Sequence, residues 1–205
     1  MSSAEAAGRR VKIEARPERM EIDLAKTAIV IVDMQNAFAG RGEKSGPPGP
    51  SITGALIERI KRLATAARME AIKLVYLTMI RNPERKSKSL INSVWDTKIV
   101  EELTPVPGDV IVEKSRYSGF RGTELDKILR SLQIEYLIFT GVTTNVCVES
   151  TLRDAYFLDY WPIIVSDATN NAGPSITHEA TLWNVESSFG WVTTTEDILK
   201  ALSGR

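Results

Sequence analysis

Three residues of this chain are chemically matched to one another: Cys147, Asp33 and Lys114. A thiol beside a base is a nucleophile for acyl carbon, a carboxylate can take a proton and return it, and an ammonium group can hold such a pair in register. Each residue follows an apolar run. Ala28-Ile29-Val30-Ile31-Val32 leads directly into Asp33, and Val110-Ile111-Val112 ends near Lys114. Tyr136-Leu137-Ile138-Phe139 is followed by Gly141-Val142-Thr143-Thr144-Asn145-Val146-Cys147. Thr144 or Asn145 suits a helix N-cap, and the amphipathic stretch from Val146 to Leu158 reads as the helix. The thiol then sits in the first helical turn, where free backbone N–H groups and the dipole favour thiolate and offer donors to an oxyanion. Taken singly, each residue has a plainer reading. A lone cysteine is usually a small buried hydrophobe, a strand-end Asp a turn former, and a Lys a surface group. Their shared placement at strand ends favours a Cys-Asp-Lys site.

The elements that would position them follow a regular plan. The runs at 28–32, 74–77, 110–112, 136–139 and 163–165 are too short for core helices, are rich in β-branched residues and read as strands buried on both faces. Trp191-Val192-Thr193 is a short last strand. Between them, Leu56, Ile60, Leu63 and Ala67 keep helical spacing, as do Leu125, Ile128, Leu129 and Leu132, and then Val148, Thr151, Leu152 and Ala155. Segments near 175–189 and 195–203 also read as helical. Strand-helix alternation predicts a three-layer α/β/α sandwich with a mostly parallel sheet of about six strands, typical of such folds. Its ligand site lies beyond the carboxyl ends of the strands.

Composition narrows the function. Lys plus Arg and Asp plus Glu each number 26, so the net charge is zero. This removes the main electrostatic argument for nucleic acid or an anionic membrane surface. One cysteine excludes an intrachain disulfide and a Cys-rich zinc site, and one histidine excludes a three-His cage. No run approaches the roughly 18 apolar residues of a membrane span, and residues 1–20 lack the apolar stretch of a secretory signal. The expectation is a soluble cytosolic protein with a solvated arm at 1–20 and one domain at 21–205. Two loops stand out. Gly40 to Pro50 holds four Gly and three Pro, and Arg81 to Ser93 carries Arg81, Arg85, Lys86 and Lys88. The basic loop is either a solvated surface or an entrance for anionic substrates. His178 reads as a surface residue and Asp167 as a structural turn former.

Three motifs in order resemble those of the isochorismatase-like cysteine hydrolases. Asp33-Met34-Gln35-Asn36-Ala37-Phe38 is similar to their opening motif, Glu113 to Phe120 to their lysine motif, and Gly141 to Val148 to their nucleophile motif. The resemblance runs from about Lys26 to Ser203. It implies that Cys147 attacks an amide or ureido carbonyl and forms a thioester, and that Asp33 moves the proton. Lys114 would hold the pair, and the backbone N–H groups of Thr143 and Cys147 would form the oxyanion hole. It also implies a cis peptide between Val142 and Thr143. It favours Phe38 and Tyr117 as pocket walls, with Trp95 a further candidate. Gln35 and Asn36 either bind substrate or cap the turn.

Within the family, one branch carries an Asp-His-His metal site that a single histidine cannot supply, and another cleaves a vinyl ether without a nucleophilic cysteine. The resemblance therefore implies a cofactor-free hydrolase of a small linear amide or ureido acid, in a homo-oligomer (dimer or tetramer). The alternatives are an enzyme for N-carbamoyl amino acids or biuret-like ureas, and a non-catalytic ligand-binding member.

Overall fold

A computed structural model describes residues 8–39, 53–80, 91, 93–171 and 173–204. Residues 40–52 and 81–90, which include most of the two expected loops, lie outside the described residues. The elements, in order, are β1 (Arg10–Ile13), β2 (Met20–Asp23), β3 (Thr27–Val32), α1 (Gly54–Met69), β4 (Lys73–Met79), the single turn α2 (Val94–Thr97) and β5 (Val110–Lys114). They continue with α3 (Leu125–Ser131), β6 (Tyr136–Val142), α4 (Glu149–Phe157), β7 (Trp161–Asn170), α5 (Ser175–Asn184), β8 (Trp191–Thr193) and α6 (Thr195–Ser203).

Six strands form one sheet in the order β5-β4-β3-β6-β7-β8, and every neighbouring pair is parallel. The expected three-layer α/β/α architecture is therefore present. On β3 all six residues are buried, and their alternation explains the two-sided core. Ile29 and Ile31 pack with α1 and α6 on one face; Ala28, Val30 and Val32 pack with α3 and α4 on the other. From β3 the chain runs outward through β4 to β5, then returns to the other side of β3 as β6. The switch point thus falls between the strands that precede Asp33 and Cys147.

The N-terminal arm is not simply solvated. β1 pairs antiparallel with β2, and Val11, Ile13, Met20 and Ile22 are buried in the core shared with α1 and α6. Burying one Ile fully contributes roughly 1.5–3 kcal/mol, which outweighs the exposure of charged neighbours on the other face. Arg16 exchanges two backbone hydrogen bonds of 2.9 Å with Val192, so the arm also covers the edge strand β8.

Gly141 shows how closely the two central strands must approach. It pairs with Val32 in the β3–β6 ladder and has φ +101°. A Cβ there would lie 2.2 Å from the Val32 carbonyl oxygen. Only glycine meets both demands. Gly141→Ala should therefore cost about 3 kcal/mol or more, from the clash and the backbone strain together, and should lower activity by separating the strands before Asp33 and Cys147. Urea denaturation checks this; an unchanged midpoint with full activity would refute it.

Candidate active site

Asp33 leaves β3 with φ +50°, a left-handed conformation that a short Asp tolerates better than most side chains. Its N–H still donates to the Leu77 carbonyl at 2.9 Å, so the residue remains tied to β4. Lys114 ends β5, two strands away from β3. At a strand spacing near 4.8 Å the gap is roughly 10 Å, and a long side chain is needed to cross it. Lys114 Nζ crosses over β4 and donates to Asp33 Oδ2 at 2.7 Å, with the two side chains 0% and 1% exposed. Asp33 Oδ1 is buried as well, with no hydrogen-bond partner among the described residues. The Cys147 thiol interacts with the same carboxylate. The structure thus brings the three expected residues together.

Burial pushes the Asp33 carboxyl above the ordinary carboxylate range, while the Lys114 charge and the Cys147 contact pull the other way. A raised carboxylate is a stronger base. Burial likewise pushes the Cys147 thiol well up, the Asp33 charge adds to this, and Lys114 opposes it. Here the expectation of a helix-stabilised thiolate is corrected. Cys147 does not sit in the first turn of an α-helix but in a π-helical turn, Thr144–Val148, ahead of α4. It is buried in the apolar layer with Val148 and Leu152. Desolvation and the Asp33 charge therefore favour the protonated thiol over the thiolate.

The turn is closed by the Thr143 carbonyl, which accepts from Val146 N at 3.1 Å and Val148 N at 3.2 Å. Thr143 occupies the N-cap position without a side-chain bond, so neither Thr144 nor Asn145 caps as expected. The Val142–Thr143 peptide is cis. Thr151 Oγ1 donates to the Cys147 carbonyl at 2.7 Å and accepts from Gly119 N at 3.0 Å. Ser118 Oγ donates to Asp154 at 2.6 Å. The segment after Lys114 is thereby fastened to α4, which ties the lysine to the cysteine.

Gln35 and Asn36 both engage backbone, as the turn-holding alternative expects. Gln35 is fully buried and spends its amide on backbone: it donates to the Met79 and Thr97 carbonyls at 3.0 and 2.8 Å and accepts from Met79 N at 2.7 Å. Asn36 donates to the Trp95 carbonyl at 3.1 Å. These two residues seat the short α2 turn beside the end of β3. Phe38 is half-buried against the core, whereas Trp95 is 41% and Tyr117 51% exposed. Asp167 is structural but lies within β7, accepting from Thr195 N at 2.8 Å to hold the start of α6. His178 is not a surface residue. Its ring is half-buried, with Nδ1 2.9 Å from Thr144 Oγ1. Sequence reasoning missed it because its partner lies 34 positions away.

Residues 27–197 match the Isochorismatase domain. The chain is 40% identical over 221 residues to ureidoacrylate amidohydrolase of Cronobacter turicensis, covering 94% of this chain and 95% of that one. It superposes on a cysteine hydrolase from Pseudomonas syringae pv. phaseolicola with TM-score 0.80 and 29% identity, over 89% of this chain and 95% of the other. N-carbamoylsarcosine amidase from Thermoplasma acidophilum matches with TM-score 0.72 and 25% identity, over 83% and 97%.

The electrostatics set a pH signature. Because the folded Asp33 pKa is raised, its neutral form favours the fold below the ordinary carboxylate pKa near 3.9; that contribution is lost as pH rises through the folded value. The ionised form is the base, so the acid limb of kcat/KM should lie above about 3.9. Lys114→Met removes the partner of a buried carboxylate. It should lower kcat by about 10²–10⁴, shift the acid limb further up and lower Tm. Retention of most activity with an unmoved acid limb would refute the assignment.

Proposed function

The chain belongs to the isochorismatase family, and from that premise we propose that it is a cysteine-dependent amidohydrolase of a small linear ureido acid, of the ureidoacrylate type. The observation that carries the reading is the fully buried Lys114–Asp33 pair at 2.7 Å with the Cys147 thiol on the same carboxylate. Asp33 takes the thiol proton as sulfur attacks the ureido carbonyl, and the ammonium of Lys114 keeps the proton-transfer pair aligned. The tetrahedral oxyanion is received by the backbone N–H groups of Thr143 and Cys147. Collapse breaks the C–N bond to the substituted nitrogen, Asp33 returns the proton to that departing nitrogen, and an S-carbamoyl thioester remains on Cys147. Water activated by the same carboxylate then attacks the thioester and releases the thiol.

Phe38, Trp95 and Tyr117 form walls of the substrate pocket in this reading; the exposed ring surfaces of the last two support it. The basic loop carrying Arg81 and Arg85 steers the substrate carboxylate. A homo-oligomer, dimer or tetramer, is supported by exposed apolar side chains such as Phe157 at 70%, Trp183 at 66% and Ile176 at 62%. A monomer mass of 22.7 kDa in solution would refute it. No helix among the described residues is long and apolar enough to cross a membrane. A second reading, N-carbamoyl amino acid hydrolysis, is favoured by the likeness to N-carbamoylsarcosine amidase.

The decisive measurement is kcat/KM for ureidoacrylate against N-carbamoylsarcosine, in wild type and Cys147→Ala. Wild type should prefer ureidoacrylate, and one equivalent of iodoacetamide should abolish turnover. Cys147→Ala should be folded and inactive. Preference for the carbamoyl amino acid would select the second reading, and turnover by the alanine variant would exclude thiol catalysis. Tight ligand binding without turnover of either compound would indicate a binding protein.

A further inference from the structure

The helix α5 contributes no residue to the Cys-Asp-Lys triad, yet it holds the turn that carries the nucleophile at two points. His178 and Thr181 are three residues apart and so share one face of α5. His178 Nδ1 meets Thr144 Oγ1 at 2.9 Å. Thr181 Oγ1 donates to Glu149 Oε2 at 2.7 Å. Thr144 opens the π-helical turn and Glu149 opens α4, so the two contacts bracket Cys147. Neither end of the brace is loose. Glu149 is fixed by Arg153 through bonds of 2.9 and 2.6 Å. The start of α5 is pinned by Asn171 Nδ2, which donates to the Pro174 carbonyl at 2.9 Å and to Thr177 Oγ1 at 2.6 Å.

Thr144 is completely buried, so its hydroxyl proton needs an acceptor inside the protein. The Thr144 hydroxyl lies 2.9 Å from His178 Nδ1, within reach of that acceptor. A neutral ring carries one proton, which leaves the other nitrogen as an acceptor. Burial holds the His178 pKa below its ordinary value, while the Glu179 charge and the Ser166 backbone oppose this.

We propose that His178 is a positioning residue for the reaction: its Nδ1 accepts the hydroxyl of the buried Thr144, its Nε2 carries the ring proton, and the contact so fixes the turn that aims Cys147 and the adjoining N–H groups. The proposal rests on the thiol mechanism given above. Its chemical requirement is an acceptor at the Nδ1 position, not a charge or a proton donor. An amide oxygen can supply that acceptor from asparagine; a phenyl ring of similar size cannot. A turn misplaced by about 1 Å is expected to cost on the order of a hundredfold in the chemical step.

The chain has a single histidine, so ¹⁵N NMR of a tag-free sample reads this ring alone, without reference to any substrate. The expected spectrum at pH 7.5 is the Nε2–H tautomer, with titration below the ordinary value near 6.5. The Nδ1–H tautomer, or titration at the ordinary value, would overturn the proposal.

Kinetically, His178→Phe should lower kcat about tenfold or more with KM changed by less than about threefold, and should slow alkylation of Cys147 by iodoacetamide. His178→Asn should recover most of both losses. Thr144→Val should match His178→Phe, and the double variant should be no worse than either, because both remove one bond. Thr144→Val carries the same test if His178→Phe does not fold. Unchanged kcat, failure of asparagine to rescue, or additive losses would overturn the role. If no ureido compound is turned over, the alkylation rates and the tautomer still decide the proposal, separately from the assigned reaction.

Discussion

The site depends on one buried ion pair. Lys114 and Asp33 meet at 2.7 Å with essentially no solvent contact. Two charges in that position are costly to desolvate, and their attraction offsets the cost only when the geometry is close and the remaining lone pairs and protons are used. The surrounding architecture meets those conditions. The lysine must cross a whole strand to reach its partner, so β4 has to lie between β3 and β5 in the sheet order seen here. The β3–β6 ladder brings Cys147 to the other side of the same carboxylate, and that ladder is close enough only because position 141 has no side chain.

The same burial that makes the pair costly supplies its chemistry. In water a thiol and a carboxylate differ in pKa such that the carboxylate is a poor base. Here desolvation raises Asp33, which makes it a stronger base; desolvation and the neighbouring negative charge also raise Cys147. Both shifts favour a protonated thiol beside a carboxylate able to take its proton. The lysine lowers the cost of the charge-separated state without donating its own proton.

Polar side chains around the triad mostly bind protein. Gln35 satisfies three backbone groups from β4 and the α2 segment, and Thr151 ties Gly119 to the Cys147 carbonyl. Such bonds fix geometry to tenths of an ångström, which mobile polar groups facing water would not do. Buried polar atoms here serve mainly to position backbone around the triad.

Much of this was legible in the residues alone. Six short β-branched runs alternating with helical periodicity specify a parallel sheet covered on both sides, because such runs bury both faces of a strand. Asp33, Lys114 and Cys147 were identifiable since each stands at or just beyond the end of such a run. The β1–β2 hairpin escaped notice because two four-residue strands alternate apolar and charged residues too briefly to stand out. Other decisions belonged to the tertiary structure. Whether Gln35 and Asn36 face substrate or backbone depends on what Met79, Trp95 and Thr97 bring beside them. Whether Cys147 rests as thiol or thiolate depends on how far it is desolvated, which no local spacing encodes. His178 gains its partner only when α5 packs across the nucleophile turn. Periodicity is local and survives in the sequence; burial and the meeting of distant polar atoms exist only once the layers close.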